Sequence, residues 1–326
     1  MLQKSKAIEK MNELGKLRKP FLFIIDFLGE ENLILSNDEI DAQKLLYSIG
    51  EYSNVQENLE LQQNEALQFS KKPISFLQYY SAFKKVKTNL DFGNTYLTNL
   101  TQSTPIIINR STNEIFYQSK ALYKLWLKDR FVVFSPEIFV RIKNGNISSF
   151  PMKGTIDANL PDAENQILND PKESAEHNTI VDLIRNDLSI IAKNVHIKRF
   201  RYIDRIKTNQ KELLQVSSEI FGEVDTDFFD ELGTQFFKLL PAGSVSGAPK
   251  KKTVEIILEA ENYKRGFYTG VFGFFDGNKL DSAVMIRFIE EQNGNLVFKS
   301  GGGITTFSDA KKEYNELIDK VYVPIY

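Results

Sequence analysis

The sequence of 326 residues contains no cysteine and only two histidines, His177 and His196. The lack of cysteine excludes disulfides, thiol catalysis and zinc sites built on thiolates. Two histidines also argue against a histidine-based catalytic triad or a multi-histidine metal centre. Candidate catalytic groups are therefore expected among the other residue types.

The chain also lacks a strong charge imbalance and long apolar runs. Its net charge of −2 gives no electrostatic reason to expect nucleic acid or an anionic membrane as a partner. Apolar runs such as residues 21–25 are far too short to span a bilayer. The Lys- and Glu-rich N-terminus has no apolar signal core, so a cytoplasmic location is expected. No repeat, low-complexity tract or linker divides the chain, which favours a single domain over residues 1–326.

Residues 134–155 predict a β-hairpin that carries a glutamate at one end and a lysine at the other. Apolar residues alternate toward the Asn-Gly pair at 144–145, which is a strong hairpin signal. If the turn has two residues, Glu137 lies opposite Met152; if it has three, Glu137 lies opposite Lys153. Either register makes the two charges close neighbours. The alternative is a surface ion pair worth about 0–1 kcal/mol.

Two glutamate pairs with the same spacing lie on predicted helices. In the helix over 171–188, Glu173 and Glu176 project along the apolar face, so a positive partner is expected; alternatively, these acids only complement the helix dipole. In the helix over 308–321, Glu313 and Glu316 form a stripe that periodicity places toward solvent. Together the pairs could supply the oxygen ligands that Mg²⁺ prefers, with a substrate oxyanion completing the site.

Two glycine-containing segments could bind an anion. Residues 239–250 form a Gly/Ser-rich loop that opens a helix, but they lack the ending of a nucleotide P-loop. Residues 301–303 are three consecutive glycines, which indicate either close approach of a ligand or a tight turn. Elsewhere, a helix is predicted over 114–127, helices and loops over the polar residues 37–73, and a three-stranded meander over 267–300.

These motifs occur in the order found in one enzyme family. They are SPE at 135–137, PMKGT at 151–155, KESAEH at 172–177, VDLIRND at 181–187, PAGSVSGAPK at 241–250, Tyr268, IR at 286–287, GGGI at 301–304 and EYNE at 313–316. The chain resembles the chorismate-utilising enzymes, which include anthranilate synthase component I, aminodeoxychorismate synthase component I, and isochorismate and salicylate synthases. The resemblance covers residues 75–326, with 1–74 as a short divergent N-terminal part that gives little reason to expect a tryptophan-binding subdomain. It implies an α+β fold with two large, stacked, mostly antiparallel sheets surrounded by helices.

Within that family, the lysine at position 153 indicates the branch. Anthranilate synthases carry alanine where Lys153 stands, whereas aminodeoxychorismate synthases carry this lysine. The resemblance implies that the lysine amine adds at C2 of chorismate as the C4 hydroxyl leaves, after which ammonia adds at C4 and the lysine departs. Glu137 matches the general acid. Leu97 stands where isochorismate and salicylate synthases carry a water-activating lysine and where many amino-transferring members carry glutamine, and Gln215 stands where anthranilate synthases have a histidine.

The resemblance also implies the remaining site residues and the cofactor. Glu176 and Glu316 match direct Mg²⁺ ligands, with Glu173 and Glu313 supporting them. The positions that match contacts to the substrate are Gly154, Thr155, Ser244, Tyr268, Arg287, Gly301, Gly302, Gly303 and Lys320. The implied product is 4-amino-4-deoxychorismate, for 4-aminobenzoate and folate synthesis.

The implied reaction needs ammonia, and a chain without cysteine cannot hydrolyse glutamine in the usual way. We therefore expect a separate glutamine amidotransferase subunit as partner, besides chorismate and ammonia. Two alternatives stay open: anthranilate synthase component I, and a noncatalytic chorismate-binding subunit that activates an amidotransferase. Loss of Glu137 or of the glutamate pairs would mark the second alternative, and all of them are present.

Overall fold

Two antiparallel β-sheets with helices on their outer faces form the chain in this computed structural model, which describes residues 1–55, 65–207 and 212–325. The helices are α1 (Lys4–Lys16), α2 (Phe76–Asp91), α3 (Thr112–Gln118), α4 (Ala163–Asn169), α5 (Pro171–Leu188), α6 (Leu232–Lys238), α7 (Gly243–Ser246), α8 (Lys250–Ala260) and α9 (Ala310–Asp319). No helix among the described residues has the length and apolar composition needed to cross a bilayer.

The strands fall into two sheets of nine described strands each. In chain order they are β1 (Phe21–Ile25), β2 (Asn32–Ser36), β3 (Leu45–Ile49), β4 (Tyr52–Ser53), β5 (Phe69–Lys71), β6 (Leu97–Ile108), β7 (Tyr123–Leu127), β8 (Phe131–Ser135), β9 (Ile138–Lys143), β10 (Asn146–Ser149), β11 (Met152–Asp157), β12 (Lys193–Lys207), β13 (Glu212–Glu223), β14 (Gly247–Ala248), β15 (Val271–Phe275), β16 (Leu280–Val284), β17 (Phe288–Gln292) and β18 (Asn295–Ile304).

The two sheets stack face to face, and the order of the strands in each sheet determines which apolar side chains meet between them. The first sheet runs β11-β13-β10-β9-β16-β15-β1-β2, with β12 on the other edge of β13; the second runs β14-β6-β18-β17-β8-β7-β3-β4, with β5 on β6. Apolar side chains of β1 and β15 pack against those of β3, β7 and β8 between the sheets. Helices α1, α5 and α6 cover the outer face of the first sheet, and α2, α8 and α9 cover part of the second. The predicted α+β architecture is confirmed.

The predicted hairpin is right at its turn and wrong at its far end. Lys143 lies opposite Asn146, so the turn has two residues. However, Glu137 lies opposite neither Met152 nor Lys153, because β11 leaves β9 and pairs with β13 instead. The physical reason is Pro151, which cannot donate a ladder hydrogen bond and separates β10 from β11.

Three further predictions are corrected by the described residues. The range 114–127 is not one helix: it contains the end of α3 and the strand β7. The range 37–73 is not all outer helix and loop, because it holds the buried strand β3; residues 56–64 of that range lie outside the described residues. The meander over 267–300 is divided between the sheets, since β16 belongs to the first and β17 to the second.

Helix boundaries near the site follow from local caps. Helix α5 begins as predicted: Pro171 occupies its first turn and the Asp170 side chain accepts the Glu173 N–H at 2.9 Å. Helix α9 begins where the Asp309 side chain accepts the N–H groups of Lys311 and Lys312. These caps determine the first residue of each helix and thereby the position of each glutamate pair in its first turns.

Candidate active site

Glu137 is a carboxyl group whose pKa is affected by the charges of three basic side chains. It is partly buried just before β9, and the Ser244 hydroxyl donates to its Oε1 at 2.5 Å. Burial raises the pKa of Glu137, although the Ser244 hydrogen bond and the charges of Lys153, Lys320 and Arg287 act in the opposite direction. A carboxyl group with a raised pKa can hold a proton near neutral pH and deliver it to a leaving group.

Lys153 lies on β11 and contacts a glutamate of α5. Its Nζ is 3.6 Å from Glu176 Oε2, and the two side chains are 30% and 16% exposed. Glu176 therefore meets the positive partner expected for an acid on the apolar face of α5. The hairpin prediction named Glu137 as the neighbour of Lys153, whereas the ion pair in the structure is with Glu176.

The glycine segment of β18 brings Leu97 and Lys153 to one point. A Cβ atom built on Gly303 would lie 3.1 Å from Leu97 Cδ1 and 3.8 Å from Lys153 Nζ. Leu97 is 5% exposed at the start of β6. The position that resembles the water-activating lysine of isochorismate synthases thus holds an apolar side chain close to the lysine amine.

The next glycine faces the last helix. A Cβ atom on Gly302 would lie 3.5 Å from Lys320 Nζ, 3.7 Å from Glu313 Oε2 and 3.9 Å from Glu316 Oε1. Lys320 Nζ contacts Glu316 Oε1 at 2.7 Å and donates to the Gly301 carbonyl oxygen at 3.0 Å. Glu313 is only 6% exposed, so the prediction that its stripe faces solvent is wrong for this residue. Because glycine has no side chain, β18 leaves room for these carboxylates.

Arg287 lies where the chain crosses from the first sheet to the second. Its backbone is left-handed, with φ of 52°, and its guanidinium lies 4.9 Å from the centre of the Tyr322 ring. Tyr268 is 3% exposed, and burial raises the pKa of its hydroxyl. The charge of Arg287 acts on both Tyr268 and Glu137, which places these three side chains in one electrostatic neighbourhood.

Gly154 produces a bulge in β11 directly after the lysine. The register of β11 on β13 shifts between Lys153 and Thr155, and Gly154 has φ of +75°. A Cβ atom on Gly154 would lie 3.1 Å from Glu173 Oε2. Thr155 is exposed and lies opposite Gln215 of β13. The bulge after Lys153 therefore lies next to Glu173, the first glutamate of α5.

Comparison with known proteins identifies the family. The family model of chorismate binding enzymes matches residues 23–325. The chain belongs to the chorismate binding enzyme family. The match begins well before residue 75, where the motif resemblance starts, in agreement with the N-terminal strands β1 and β3 pairing within the two sheets.

Three similar proteins illustrate the range of this family. An uncharacterised PabA-like protein of Haemophilus influenzae is 51% identical over 98% of this chain and 96% of its own length. Aminodeoxychorismate synthase component 1 of Klebsiella aerogenes is 31% identical over 75% of this chain and 56% of its own length. The crystal structure of anthranilate synthase component I from Streptococcus pneumoniae superposes with a TM-score of 0.65, at 26% identity, over 78% of this chain and 59% of that one.

The four glutamates of this chorismate binding enzyme, Glu173, Glu176, Glu313 and Glu316, have the type of ligand atom that Mg²⁺ prefers. All four are carboxylates, which are the hard oxygen ligands that the ion prefers, and Gly302 keeps the space beside Glu313 and Glu316 open. Over residues 1–55, 65–207 and 212–325, however, no three carboxylate or imidazole side chains converge in a metal-binding group. In this structure Lys153 and Lys320 supply the positive charge next to Glu176 and Glu316.

Sequence reasoning missed several buried polar groups that surround the site. His177 is 1% exposed, its Nε2 lies 2.7 Å from Ser218 Oγ, and burial lowers its pKa to about 4. Arg265 and Glu261 form an ion pair at 2.6 Å with both side chains 2% exposed. No sequence motif contains the Arg265–Glu261 pair, whereas His177 is the last residue of the KESAEH motif, in which no role was assigned to the histidine.

Proposed function

We propose that this chain is aminodeoxychorismate synthase component I, which replaces the C4 hydroxyl of chorismate by ammonia and releases water. The observation that carries the proposal is the placement of Lys153 beside Leu97 and Gly303, together with Glu137, whose pKa is raised by burial and on which the charge of Lys153 acts. A lysine nucleophile and a general acid are the two groups that such a substitution requires.

In the first step, the amine form of Lys153 attacks C2 of the ring. The ring double bond shifts, the C4–O bond breaks, and Glu137 gives its proton to the departing hydroxide, which leaves as water. In the second step, ammonia attacks C4, the double bond shifts back and the C2–N bond to Lys153 breaks. The new ammonium group returns one proton to Glu137, so the enzyme is regenerated.

Leu97 supports ammonia rather than water as the second nucleophile, and Gln215 favours the aminodeoxychorismate branch over the anthranilate branch. Leu97 offers no group that could take a proton from water. The runner-up is anthranilate synthase component I, a name carried by one of the similar structures. The lysine at position 153 favours the aminodeoxychorismate branch, because the resembling anthranilate synthases have alanine there.

Mg²⁺ would be held by Glu176 and Glu316, with Glu173 and Glu313 supporting them. When bound, the ion supplies positive charge for the ring carboxylate of chorismate. Groups toward the other end of the site would bind the second carboxylate: the Arg287 guanidinium and the Tyr268 hydroxyl can donate hydrogen bonds, as can backbone N–H groups of the glycine segment.

We further propose that ammonia comes from a separate glutamine amidotransferase subunit, since the chain has no cysteine. The product would then serve 4-aminobenzoate and folate synthesis, and the cytoplasm stays the predicted location. A noncatalytic subunit is the less favoured alternative, because Glu137, Lys153 and both glutamate pairs are retained.

The test is to incubate the purified chain with chorismate, Mg²⁺ and ammonium at mildly alkaline pH and to identify products by mass and ultraviolet spectra. The proposal expects 4-amino-4-deoxychorismate from the wild type, lost or diverted in Lys153→Ala. Anthranilate or isochorismate as the wild-type product would contradict the proposed branch. No turnover even with an amidotransferase partner would favour the noncatalytic alternative.

A further inference from the structure

A buried ion pair joins α5 to the Gly/Ser-rich loop behind the proposed acid. Asp187, near the end of α5, is 8% exposed, and its Oδ2 lies 3.0 Å from Lys250 Nζ. The same Nζ donates to the Leu239 carbonyl oxygen at 2.7 Å. Lys250 therefore connects both ends of the loop to one carboxylate, although neither Asp187 nor Lys250 is used in the proposed reaction.

Asp187 also fixes the short helix α7 at its first residue. The Asp187 carboxylate lies against the backbone of Gly243, whose N–H acts to lower the pKa of Asp187, although burial raises that pKa overall. A Cβ atom on Gly243 would lie 2.6 Å from Asp187 Oδ2, so only glycine permits this close approach. The next residue is Ser244, whose hydroxyl donates to Glu137 at 2.5 Å.

A second buried group fixes α7 on the other side of Ser244. Arg265 Nη1 donates to the Val245 carbonyl oxygen at 2.9 Å, and Arg265 Nη2 donates to the Asn99 carbonyl oxygen at 2.6 Å. Asn99 lies on β6, opposite Gly303 of β18. Ser244 thus lies between two residues whose backbone groups are bound by buried charged side chains.

We propose that the Asp187–Lys250 pair positions the proposed reaction's acid: by holding Gly243 it aims the Ser244 hydroxyl at the Glu137 carboxyl group. The inference rests on the proposed function, in which Glu137 gives a proton to the leaving hydroxyl. Asp187 and Lys250 act through Ser244, so they are positioning residues.

The Ser244 hydrogen bond favours the ionised form of Glu137. Lys153, Lys320 and Arg287 act in the same direction, while burial opposes them; Glu137 in turn acts on the buried Tyr268. Loss of the aimed hydroxyl should therefore raise the pKa of Glu137. Because the acid works protonated, activity falls as pH rises through this pKa, and the falling limb of the pH profile should move to higher pH.

The test compares two double variants that both remove the buried charges. In Asp187→Asn/Lys250→Met, the amide oxygen can still accept the Gly243 N–H; in Asp187→Leu/Lys250→Met, no acceptor remains. Chorismate turnover is measured against pH with the concentration of free ammonia held constant. We expect the Leu/Met variant to lose about 10- to 100-fold in kcat and to shift its falling limb upward by about one pH unit. The Asn/Met variant keeps an acceptor next to Gly243 but loses the Lys250 contacts, so it should lose less kcat and shift its falling limb less than the Leu/Met variant.

Two further variants keep the inference falsifiable. Ser244→Ala added to the Leu/Met variant should not shift the falling limb of the pH profile any further, because both changes remove the same hydrogen bond from Ser244 to Glu137. If the Leu/Met variant does not fold, Gly243→Ala takes its place, since its new Cβ would push α7 away from Asp187. As a matched control, Asp281→Asn removes the negative charge next to Arg141, whose Nε donates to Asp281 at 3.1 Å, and should lower stability without moving the limb.

The possible results separate this inference from the proposed function. Three results would each overturn the positioning role while wild-type turnover still supports the reaction. The falling limb of the pH profile could stay unshifted in the Leu/Met variant (or in Gly243→Ala), or the two double variants could show equal shifts. Alternatively, Ser244→Ala could shift the limb of the Leu/Met variant as far as it shifts that of the wild type. A wild type that makes no 4-amino-4-deoxychorismate would instead contradict the proposed function itself.

Discussion

The consecutive glycines of β18 lead to a sharp prediction, because their neighbours differ. A Cβ atom on Gly301 would lie 2.6 Å from the Leu100 carbonyl oxygen and 2.5 Å from Thr101 Cγ2, so the backbone of β6 would have to move. The contacts of a Cβ atom on Gly302 would all be 3.5 Å or longer, and they involve side chains of the proposed site. Gly301 is thus needed for the fold and Gly302 for the space in which a substrate would bind.

The expected magnitudes follow from these distances. Gly301→Ala should lower the free energy of unfolding by about 1–3 kcal/mol, the usual cost of forcing an extra methyl group into packed structure. Gly302→Ala should leave the free energy of unfolding unchanged or raise it by about 0.4–1 kcal/mol, because alanine restricts the unfolded chain. Its methyl group would occupy substrate space, so KM for chorismate should rise about 10-fold or more.

Denaturant unfolding of both variants, together with steady-state kinetics, tests this assignment. The two substitutions are matched in size and lie one residue apart, so each serves as the control for the other. If Gly302→Ala destabilised the protein as much as Gly301→Ala, or left KM for chorismate unchanged, the proposed division of roles between these glycines would be refuted.

Three further predictions concern ionisable groups. Glu137→Gln should lower kcat by about 10²- to 10⁴-fold and abolish the falling limb of the pH profile, measured by turnover. Arg265→Met should lower the free energy of unfolding by about 3–5 kcal/mol, because it leaves Glu261 buried without its cation; a smaller loss would mean that Glu261 is solvated. Burial raises the pKa of Asp26 from 3.8 to about 6, so the folded state binds its proton more tightly and stability is lost as pH rises between these values. Asp26→Asn should therefore raise the free energy of unfolding by about 1–3 kcal/mol at pH 8 and give no gain at pH 4, as urea unfolding at both pH values would show.

Local signals in the sequence predicted elements well where they are self-contained. The Asn-Gly pair at 144–145 predicted the turn between β9 and β10 with two possible registers, one of which is present, and the helix predicted over 171–188 is α5. Short apolar segments were more ambiguous. Residues 123–127 fit the step of a helix as well as a strand, and only their pairing with β3 and β8 decides for the strand.

The partners of the charged groups could not be predicted from local sequence. Lys153 contacts Glu176 because β11 pairs with β13, a long-range choice that the hairpin pattern does not contain. Glu313 is buried because β18 has no side chain at Gly302, and helical periodicity alone places it toward solvent. The ordered motifs nevertheless indicated the correct family, because they contain residues that are far apart in the chain and lie close together in the fold.

The most direct test of the central claim is to look for the covalent intermediate on Lys153. The chain is incubated with chorismate and Mg²⁺ in the absence of ammonia, quenched, and examined by intact-protein and peptide mass spectrometry. We expect a mass gain of one chorismate less one water, located on Lys153 and absent from Lys153→Ala. Formation of 4-amino-4-deoxychorismate by the Lys153→Ala variant at the wild-type rate, or an adduct at another residue, would contradict it.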